Sequence, residues 1–187
     1  GQYLLRLINS VLDLAYIESG KMTLDIRAHD IPAMLKNVKY VFQADLQKKQ
    51  LTLDVACDVQ DPVAYFDALK MNQIELNLIG NAIKYTPDGG HIRVTAGASP
   101  DTAWMEVRDD GIGIPEKDRE RIFDRFYRVD KARSRESGGT GLGLSIAREI
   151  VQRHHGTISL VPHEGPGTTV RLELPITQPI GGEDSHE

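Results

Sequence analysis

A segment with helical periodicity, from about Ala68 to Tyr85, has polar side chains on one narrow stripe and apolar side chains around most of its circumference. A helix with so much apolar surface is expected to be largely buried, so the rest of the chain must fold into layers that cover it. The stripe consists of Lys70, Gln73, Asn77, Asn81 and Lys84. Amide and ammonium groups that are buried in this way need partners.

The stripe has two interpretations. Carboxamide oxygens one turn apart can ligate a hard cation, and an ammonium group one turn further can meet a phosphate oxygen. Asn77, Asn81 and Lys84 have this spacing, which is typical of a site for a metal ion and a chain of phosphates. The alternative is the solvated side of an ordinary helix whose amides cap loops, and the helix alone does not decide between the two.

The composition excludes several classes of protein. A chain of 187 residues with 40% hydrophobic residues can form one large domain, with or without an appendage. The formal charge of −5 argues against a general nucleic-acid binder. The single cysteine, Cys57, excludes an internal disulfide framework and a cysteine-based metal cluster. The sequence contains no signal peptide and no apolar run near ~18 residues, and a membrane-anchored parent protein is still compatible with it.

The first segment, from Tyr3 to Ser19, is predicted to be a helix that ends at Gly20. Its apolar residues follow several heptad lines, such as Leu4 with Val11, which is too apolar for a lone surface helix. The pattern favours a helix bundled with others, as in a dimer, over a core helix of the same domain. Because the helix lacks a start signal, we expect the sequence to be a fragment of a longer protein.

The remaining sequence alternates between strands and helices with short turns, which predicts an α+β fold. This fold is a two-layer α/β sandwich, in which helices cover one face of a mixed, mostly antiparallel sheet. Residues 128–139 are predicted to be a mobile loop, and the tail after Pro175 is predicted to be disordered. The predicted strands are 22–27, 51–55, 63–66, 91–98, 103–108, 157–161 and 168–174, and the predicted helices are 30–49, 68–85, 119–126 and 142–154.

Two glycine-containing segments are candidate ligand sites. Residues 109–115, Asp-Asp-Gly-Ile-Gly-Ile-Pro, allow the backbone to approach a flat ligand, and a buried Asp109 can accept a hydrogen bond from an exocyclic amine, as on adenine. A simple tight turn is the alternative. Residues 138–145, Gly-Gly-Thr-Gly-Leu-Gly-Leu-Ser, open a helix whose free N–H groups can bind an anion. Their spacing matches neither the dinucleotide-binding nor the P-loop pattern.

The loop before the second glycine segment is basic. It carries Lys131, Arg133 and Arg135, which can fold over phosphates, and a flexible basic linker is the alternative.

Together these segments resemble the catalytic ATP-binding domain of sensor histidine kinases, within the GHKL superfamily. The resemblance covers about residues 67–175, and its motifs stand in the family's order. They are the N box at 77–87, the first glycine box at 109–115, the F box at 123–128, the second glycine box at 139–145 and a last hairpin at 165–170.

The segment 13–22 is similar to the end of the second helix of the family's dimerisation and phosphoacceptor domain. The resemblance implies three parts: the truncated end of that helical hairpin at 1–20, a catalytic ATP-binding domain at 21–176, and a disordered tail at 177–187. The family's phosphoacceptor histidine lies on the first helix of the hairpin, before this chain begins. The six histidines of this chain are expected to be ordinary surface or loop residues.

The resemblance also implies cofactors, ATP and Mg²⁺, and a role for each candidate residue. Asn81 binds Mg²⁺, Asn77 helps to hold the metal or the phosphates, and Lys84 meets a phosphate oxygen. Asp109 recognises the adenine amine, and Arg133, or Arg135 in another loop register, reaches the γ-phosphate. The other implied ATP-binding residues are Tyr85, Gly111, Gly113, Ile114, Gly139, Thr140, Gly141, Leu142, Gly143, Leu144 and Thr169, with Thr168 as a weaker candidate for the last position.

The implied function is that of the catalytic portion of a two-component sensor histidine kinase, which transfers the ATP γ-phosphoryl group to a histidine missing from this chain. The implied partners are ATP or ADP, the phosphoacceptor hairpin in cis or trans, and the receiver domain of a response regulator. A homodimer through the N-terminal hairpin of the parent is expected, and no nucleic acid. The implied location is the cytoplasmic part of a membrane-anchored sensor.

Hydrolytic members of the superfamily have a water-activating glutamate at the position of Asn77. Here the nearest glutamate of the helix, Glu75, lies ~160° round the wheel, so we expect slow ATP hydrolysis. The alternatives are a degenerate module whose nucleotide gates partner docking, an ATP-driven clamp, and a serine kinase that controls a sigma factor. The intact boxes count against the first alternative. The F box and Glu75 count against the second, and the first helix counts against the second and the third.

Overall fold

The computed structural model describes residues 8–9, 11–13, 15–16, 19–20, 22–57, 63–129 and 140–177. The predictions for most of the loop at 128–139 and for the tail from 178 onwards lie outside these residues. In the first segment, the described residues between 8 and 16 are helical, and Gly20 follows in a turn with a φ of 68°. Among the described residues, no helix is both long and apolar enough to cross a membrane.

A five-stranded sheet in the order β2-β4-β5-β7-β6 forms one layer. β2 is parallel to β4, and the other neighbours are antiparallel, while β1 and β3 form a separate antiparallel pair. The predicted mixed, mostly antiparallel sheet is therefore confirmed. The strands are β1 Arg27–Asp30, β2 Thr52–Cys57, β3 Val63–Phe66, β4 His91–Ala98, β5 Thr102–Asp109, β6 Thr157–Leu160 and β7 Thr168–Pro175.

The helices form the second layer. The longest, α4, packs beside α5 and against one face of the sheet. Alternate residues of β4, β5 and β7 are buried on that face, as the period of two requires. The helices are α1 Ile31–Leu35, α2 Val38–Val41, α3 Gln43–Lys48, α4 Ala68–Tyr85 and α5 Gly143–Arg153, with a 3₁₀ turn at Glu116–Asp118.

α4 has the predicted bounds, because Asp67 caps its start. The Asp67 carboxylate accepts hydrogen bonds from the N–H groups of Lys70 and Asp25, both at 3.0 Å. The burial of α4 is less complete than expected, since Leu69 is 82% exposed. Within the polar stripe, Gln73 donates to the Asp13 carboxylate at 2.8 Å, so this amide contacts the N-terminal segment.

Three predicted elements differ from the structure. Residues 22–26 have no regular structure, because the pairing with β3 begins only at Arg27. The predicted helix 30–49 starts at Asp30 as expected, but it is divided into α1, α2 and α3. It is interrupted by a turn at residues 36–37 and again at Phe42, which has a φ of −99° and a ψ of 7°. The helix predicted at 119–126 is a series of turns, because the chain turns back at Phe126, which has a φ of 60°.

Candidate functional site

The C-terminal half of α4 presents Asn77, Asn81 and Lys84 at successive turns, all half-buried. The Asn77 amide nitrogen donates to the carbonyl of Gly143 at 3.3 Å, which leaves the Asn77 oxygen as an acceptor. The Lys84 ammonium lies 4.9 Å from the centroid of the Tyr85 ring. The helical spacing thus places both carboxamides and the ammonium along one side of α4, and Asn77 contacts the start of α5.

This donor set fits magnesium better than a metal that is enclosed by protein ligands. Within the described ranges, no group of three or more His, Cys, Asp or Glu residues could hold a metal ion. Mg²⁺ is usually bound by one or two protein oxygens, together with substrate phosphates and water. The oxygens of Asn77 and Asn81 are suited to that limited contribution.

The start of α5 supplies a second feature for an anion. α5 begins at Gly143, and no side chain among the described residues caps its first turn. The N–H groups of that turn therefore remain donors for an anion. A Cβ atom at Gly143 would lie 3.2 Å from the Asn77 side-chain oxygen, so the missing side chain lets α5 approach α4.

Asp109 ends β5 and is 7% exposed. Its Oδ1 atom accepts hydrogen bonds from the N–H groups of Gly111 at 2.9 Å and Thr168 at 3.2 Å. Burial raises the pKa of the Asp109 carboxyl, and these two hydrogen bonds oppose the rise. The second oxygen, Oδ2, remains as an acceptor. The neighbouring Thr169 hydroxyl is buried without a hydrogen-bond partner among the described residues.

The turn after Asp109 packs against the end of α4. The N–H of Ile112 donates to the carbonyl of Tyr85 at 3.2 Å. A Cβ atom at Gly111 would lie 2.6 Å from that carbonyl oxygen, so no larger residue fits there without a shift. Gly113 has a φ of 70°, a conformation that favours glycine. Ile114 follows and is half-buried.

The base of the loop before α5 is closed by a backbone contact. The N–H of Phe126 donates to the carbonyl of Gly141 at 2.9 Å, and Gly141 has a φ of 72°. The Thr140 hydroxyl accepts a hydrogen bond from the N–H of Leu142 at 3.3 Å. Leu142 is fully buried, so it anchors α5 in the core, and Leu144 is half-buried. Arg133, Arg135 and Gly139 lie outside the described residues.

Two charged side chains with buried polar atoms have surroundings that were not predicted from the sequence. Arg128 follows the closed base of the loop, and its buried Nη2 atom has no hydrogen-bond partner in the described part of the chain. Glu75 is 4% exposed, and burial raises its pKa to about 7. Its position on the apolar side of α4, ~160° from the polar stripe, is the signal that the sequence offered.

The prediction that the histidines are surface or loop residues is wrong for His154, which is 0% exposed. The N–H of Asp67 donates to its Nε2 atom at 3.0 Å, and its Nδ1 atom bonds to the carbonyl of Ile150 at 2.8 Å. Burial lowers the pKa of His154. Its position on the apolar side of α5, next to Val151, is the signal that the sequence offered.

A groove of about 630 Å³ lies beside the end of β5, between β6, α5 and residues 114–123. It includes Ile114, Thr168 and Thr169 but not Asn77, Asn81, Lys84 or Asp109. The candidate site therefore consists of the predicted residues and their hydrogen bonds. The chemistry of these side chains decides which ligand can bind there.

Residues 66–178 match the family described as histidine kinase-, DNA gyrase B-, and HSP90-like ATPase. Among curated proteins, the chain is 39% identical over 179 residues to sensor histidine kinase TmoS of Ectopseudomonas mendocina, which covers 95% of this chain and 18% of TmoS. It is also 39% identical over 179 residues to sensor histidine kinase WalK of Bacillus subtilis (strain 168), covering 94% of this chain and 29% of WalK. The chain therefore spans less than a third of either relative.

Solved structures of histidine kinases are also similar to this chain. The catalytic domain of histidine kinase ThkA superposes with a TM-score of 0.73 at 28% identity, covering 83% of this chain and 97% of that domain. Full-length ShkA in complex with AMPPNP has a TM-score of 0.82 at 28% identity, covering 94% of this chain and 36% of ShkA. ThkA in complex with the response regulator protein TrrA has a TM-score of 0.76 at 27% identity, covering 93% of this chain and 48% of ThkA.

Proposed function

We propose that this chain, which belongs to the histidine kinase-, DNA gyrase B- and HSP90-like ATPase family, is the ATP-binding catalytic part of a sensor histidine kinase. It holds ATP with Mg²⁺ and presents the γ-phosphoryl group to a histidine on a helix outside this chain. The observation that carries the proposal is the geometry of Asp109. One oxygen of this buried carboxylate is held by two backbone N–H groups, and the other is left for an amine such as that of adenine.

The phosphate end of the nucleotide is assigned to the facing ends of α4 and α5. Asn77 and Asn81 offer oxygens to Mg²⁺, Lys84 offers an ammonium group to a phosphate oxygen, and the first N–H groups of α5 offer an anion site. A bound Mg²⁺ supplies neutralisation of the phosphate charge, which together with positioning is most of what phosphoryl transfer requires. Arg133 and Gly139 remain predicted contributors from the loop.

The absence of a base at Asn77 favours transfer to a protein over hydrolysis. A carboxamide cannot accept a proton from water at neutral pH. Glu75 is buried, with its Oε1 atom unpartnered among the described residues, and it lies on the side of α4 away from the stripe. We therefore expect slow ATP hydrolysis by the isolated chain.

The parent protein is proposed to act with three partners. These are a phosphoacceptor hairpin in cis or trans, a response-regulator receiver domain, and a second copy through the N-terminal hairpin. The names of the relatives and the ThkA–TrrA complex support the first two. The described helical residues Ile8, Val11, Leu12 and Tyr16, which are all exposed, support the third. A cytoplasmic location in a membrane-anchored sensor belongs to the same proposal.

Two measurements test the function. Titration calorimetry with ATP, with and without Mg²⁺, should give saturable binding by the full 187-residue chain that Mg²⁺ strengthens. Incubation with γ-labelled ATP should label a separately produced phosphoacceptor hairpin, with a hairpin that lacks its histidine as the control, and should leave this chain unlabelled. No binding of adenine nucleotides would refute the proposal, and label on this chain itself would refute the assignment of the nucleophile.

A further inference from the structure

The C-terminal turn of α4 is held by a lysine that lies outside the predicted site. Lys49 directly follows α3 and is half-buried. Its ammonium nitrogen donates to the carbonyl of Ile83 at 2.7 Å and to the carbonyl of Lys84 at 3.4 Å, and it also contacts the carbonyl of Thr86. The last carbonyls of a helix lack partners within the helix, and an ammonium group has three N–H donors. One side chain therefore satisfies three carbonyls.

The other two carbonyls of this turn are also bonded. The Thr86 hydroxyl donates to the carbonyl of Ala82 at 2.7 Å. The carbonyl of Tyr85 accepts from the N–H of Ile112 at 3.2 Å, within the glycine turn that follows Asp109. Every carbonyl from Ala82 to Thr86 thus has a partner. The Ile112 bond connects the end of α4 to the purine side of the site, so both sides depend on the position of this turn.

The backbone of Lys49 is fixed as well. Its carbonyl accepts a hydrogen bond from the N–H of Gly89 at 2.9 Å, and the N–H of Thr52 donates to the carbonyl of Gly90 at 3.0 Å. These bonds join the end of α3 and the start of β2 to the turn that follows α4. The ammonium group therefore extends from a fixed point of the fold, and its positive charge also suits the C-terminal end of the helix dipole.

We propose that Lys49 is a positioning residue for ATP, which holds the end of α4 so that Lys84 and the turn after Asp109 keep their binding geometry. The inference rests on the proposed function, because it concerns the same site. Lys49 bonds to backbone atoms, so its effect on the nucleotide passes through α4. Loss of its ammonium group leaves the carbonyls of Ile83, Lys84 and Thr86 without this donor. The turn that carries Lys84 and Tyr85 is then no longer held in one position.

Binding to variants of the full chain distinguishes this role from ordinary helix capping. We expect Lys49→Met to weaken ATP affinity by about tenfold or more, because the turn that carries Lys84 is no longer held in its binding position. Lys48→Met is the matched control, since Lys48 is exposed and adjacent. Asp30→Ala is the stability control. It removes the cap of α1, an acceptor for the N–H of Ala33, and it should lower the melting temperature with less than about a twofold change in affinity.

Hydrogen exchange reports the coupling itself. In Lys49→Met, peptides that cover residues 110–114 should exchange faster than in the wild-type chain, because the bond from Ile112 to Tyr85 is no longer held. In Asp30→Ala these peptides should keep their protection. Equal loss of protection and of affinity in the two variants would reduce Lys49 to a general stabiliser and overturn the proposal.

A measurement on the unsubstituted chain covers the case in which Lys49→Met does not fold. Coupling between two sites is reciprocal, so bound ATP must also tighten the contacts of Lys49. Trace acetylation with acetic anhydride, resolved residue by residue, should slow at Lys49 by at least about threefold when Mg²⁺ and ATP are added, and should not change at Lys48. Unchanged acetylation of Lys49 in a chain that binds ATP would overturn the proposal.

The two proposals fail in different ways. A wild-type chain that binds no ATP refutes the proposed function, and the exchange comparison between Lys49→Met and Asp30→Ala then still decides whether Lys49 holds the turn. A wild-type chain that binds ATP, with a Lys49→Met variant that binds it equally well, refutes only the role of Lys49.

Discussion

Two buried carboxylates, Asp109 at the end of β5 and Glu75 in the middle of α4, have opposite surroundings. Burial raises the pKa of both. Asp109 accepts hydrogen bonds from two backbone N–H groups, and these oppose the rise of its pKa. In contrast, the Oε1 atom of Glu75 has no hydrogen-bond partner among the described residues. The comparison teaches that burial alone does not identify a functional acid. A carboxylate with prepared donors on one oxygen and a second oxygen left over is arranged for a ligand, whereas a bare one destabilises the fold.

The largest effect is expected for Asp109→Asn. The amide replaces either the acceptor for the backbone N–H groups or the acceptor for the adenine amine with a donor, so one donor faces another. The loss of a charge-assisted hydrogen bond and an unpaired donor should weaken ATP affinity by about 300-fold in calorimetry. Asp110→Asn is the matched control, because Asp110 is exposed and bonds to His91 instead. Equal losses of ATP affinity in Asp109→Asn and Asp110→Asn would contradict the view that the buried geometry of Asp109 is arranged for a ligand.

His154 extends the comparison to a buried basic side chain, and both of its ring nitrogens have hydrogen-bond partners. His154→Phe keeps a ring of similar size but removes both nitrogens, leaving the N–H of Asp67 and the carbonyl of Ile150 without these bonds. We expect the free energy of unfolding to fall by about 3 kcal/mol. His155→Gly is the control. His155 is exposed with a φ of 58°, so glycine should be neutral or slightly stabilising there.

The pH dependence of His154 has a definite sign. Its pKa in the folded chain lies below its ordinary value of 6.5, so the unfolded chain binds the proton first as the pH falls. The stability that neutral His154 contributes is present above pH 6.5 and is lost as the pH falls through the lower folded value. In urea denaturation from about pH 8 down to about pH 5, the difference in free energy of unfolding between the wild-type chain and His154→Phe should therefore shrink, because all other titrating groups are common to the two chains.

Glu75→Leu should give the opposite result to His154→Phe, an increase in stability. The folded carboxyl keeps its proton up to about pH 7, whereas the unfolded one releases it near 4.5. The destabilisation that Glu75 causes in the wild-type chain should therefore grow as the pH rises from 4.5 to 7, and Glu75→Leu should be more stable than the wild type by about 2 kcal/mol at about pH 8. Glu120→Leu, at an exposed position, should keep the wild-type pH profile. A loss of ATP affinity in Glu75→Leu would contradict the view that Glu75 lies outside the site.

The sequence predicted the parts of the fold that local patterns determine. α4 has its predicted bounds because Asp67 caps it and its apolar period is long, and the hairpin of β4 and β5 follows from alternation around a turn. Local patterns did not predict that residues 30–49 form three helices. Val38, Phe42 and Leu46 are all buried in the core, as a continuous helix would also place them, so the apolar pattern does not reveal the breaks.

The polar groups of the site could be predicted, but their partners could not. Asn77, Lys84 and Asp109 stand at positions that a motif reveals. In contrast, Lys49 contacts carbonyls 34 to 37 residues away, and His154 contacts Asp67 at a separation of 87 residues. Nothing local distinguishes Lys49 from Lys48, or Gln73, which contacts Asp13, from the other polar residues of the stripe.

The smallest effect is expected at Thr169. Its buried hydroxyl resembles Glu75 in having no partner among the described residues, and it resembles Asp109 in its location. Thr169 lies on β7 beside Thr168, which donates to Asp109. If the hydroxyl is kept for the purine, Thr169→Val should weaken ATP affinity by about fourfold, the value of one neutral hydrogen bond. If it is merely unsatisfied, valine of the same shape should raise the melting temperature without any change in affinity. Thr169→Ser, which keeps the hydroxyl, is the control, and calorimetry together with thermal unfolding separates the two outcomes.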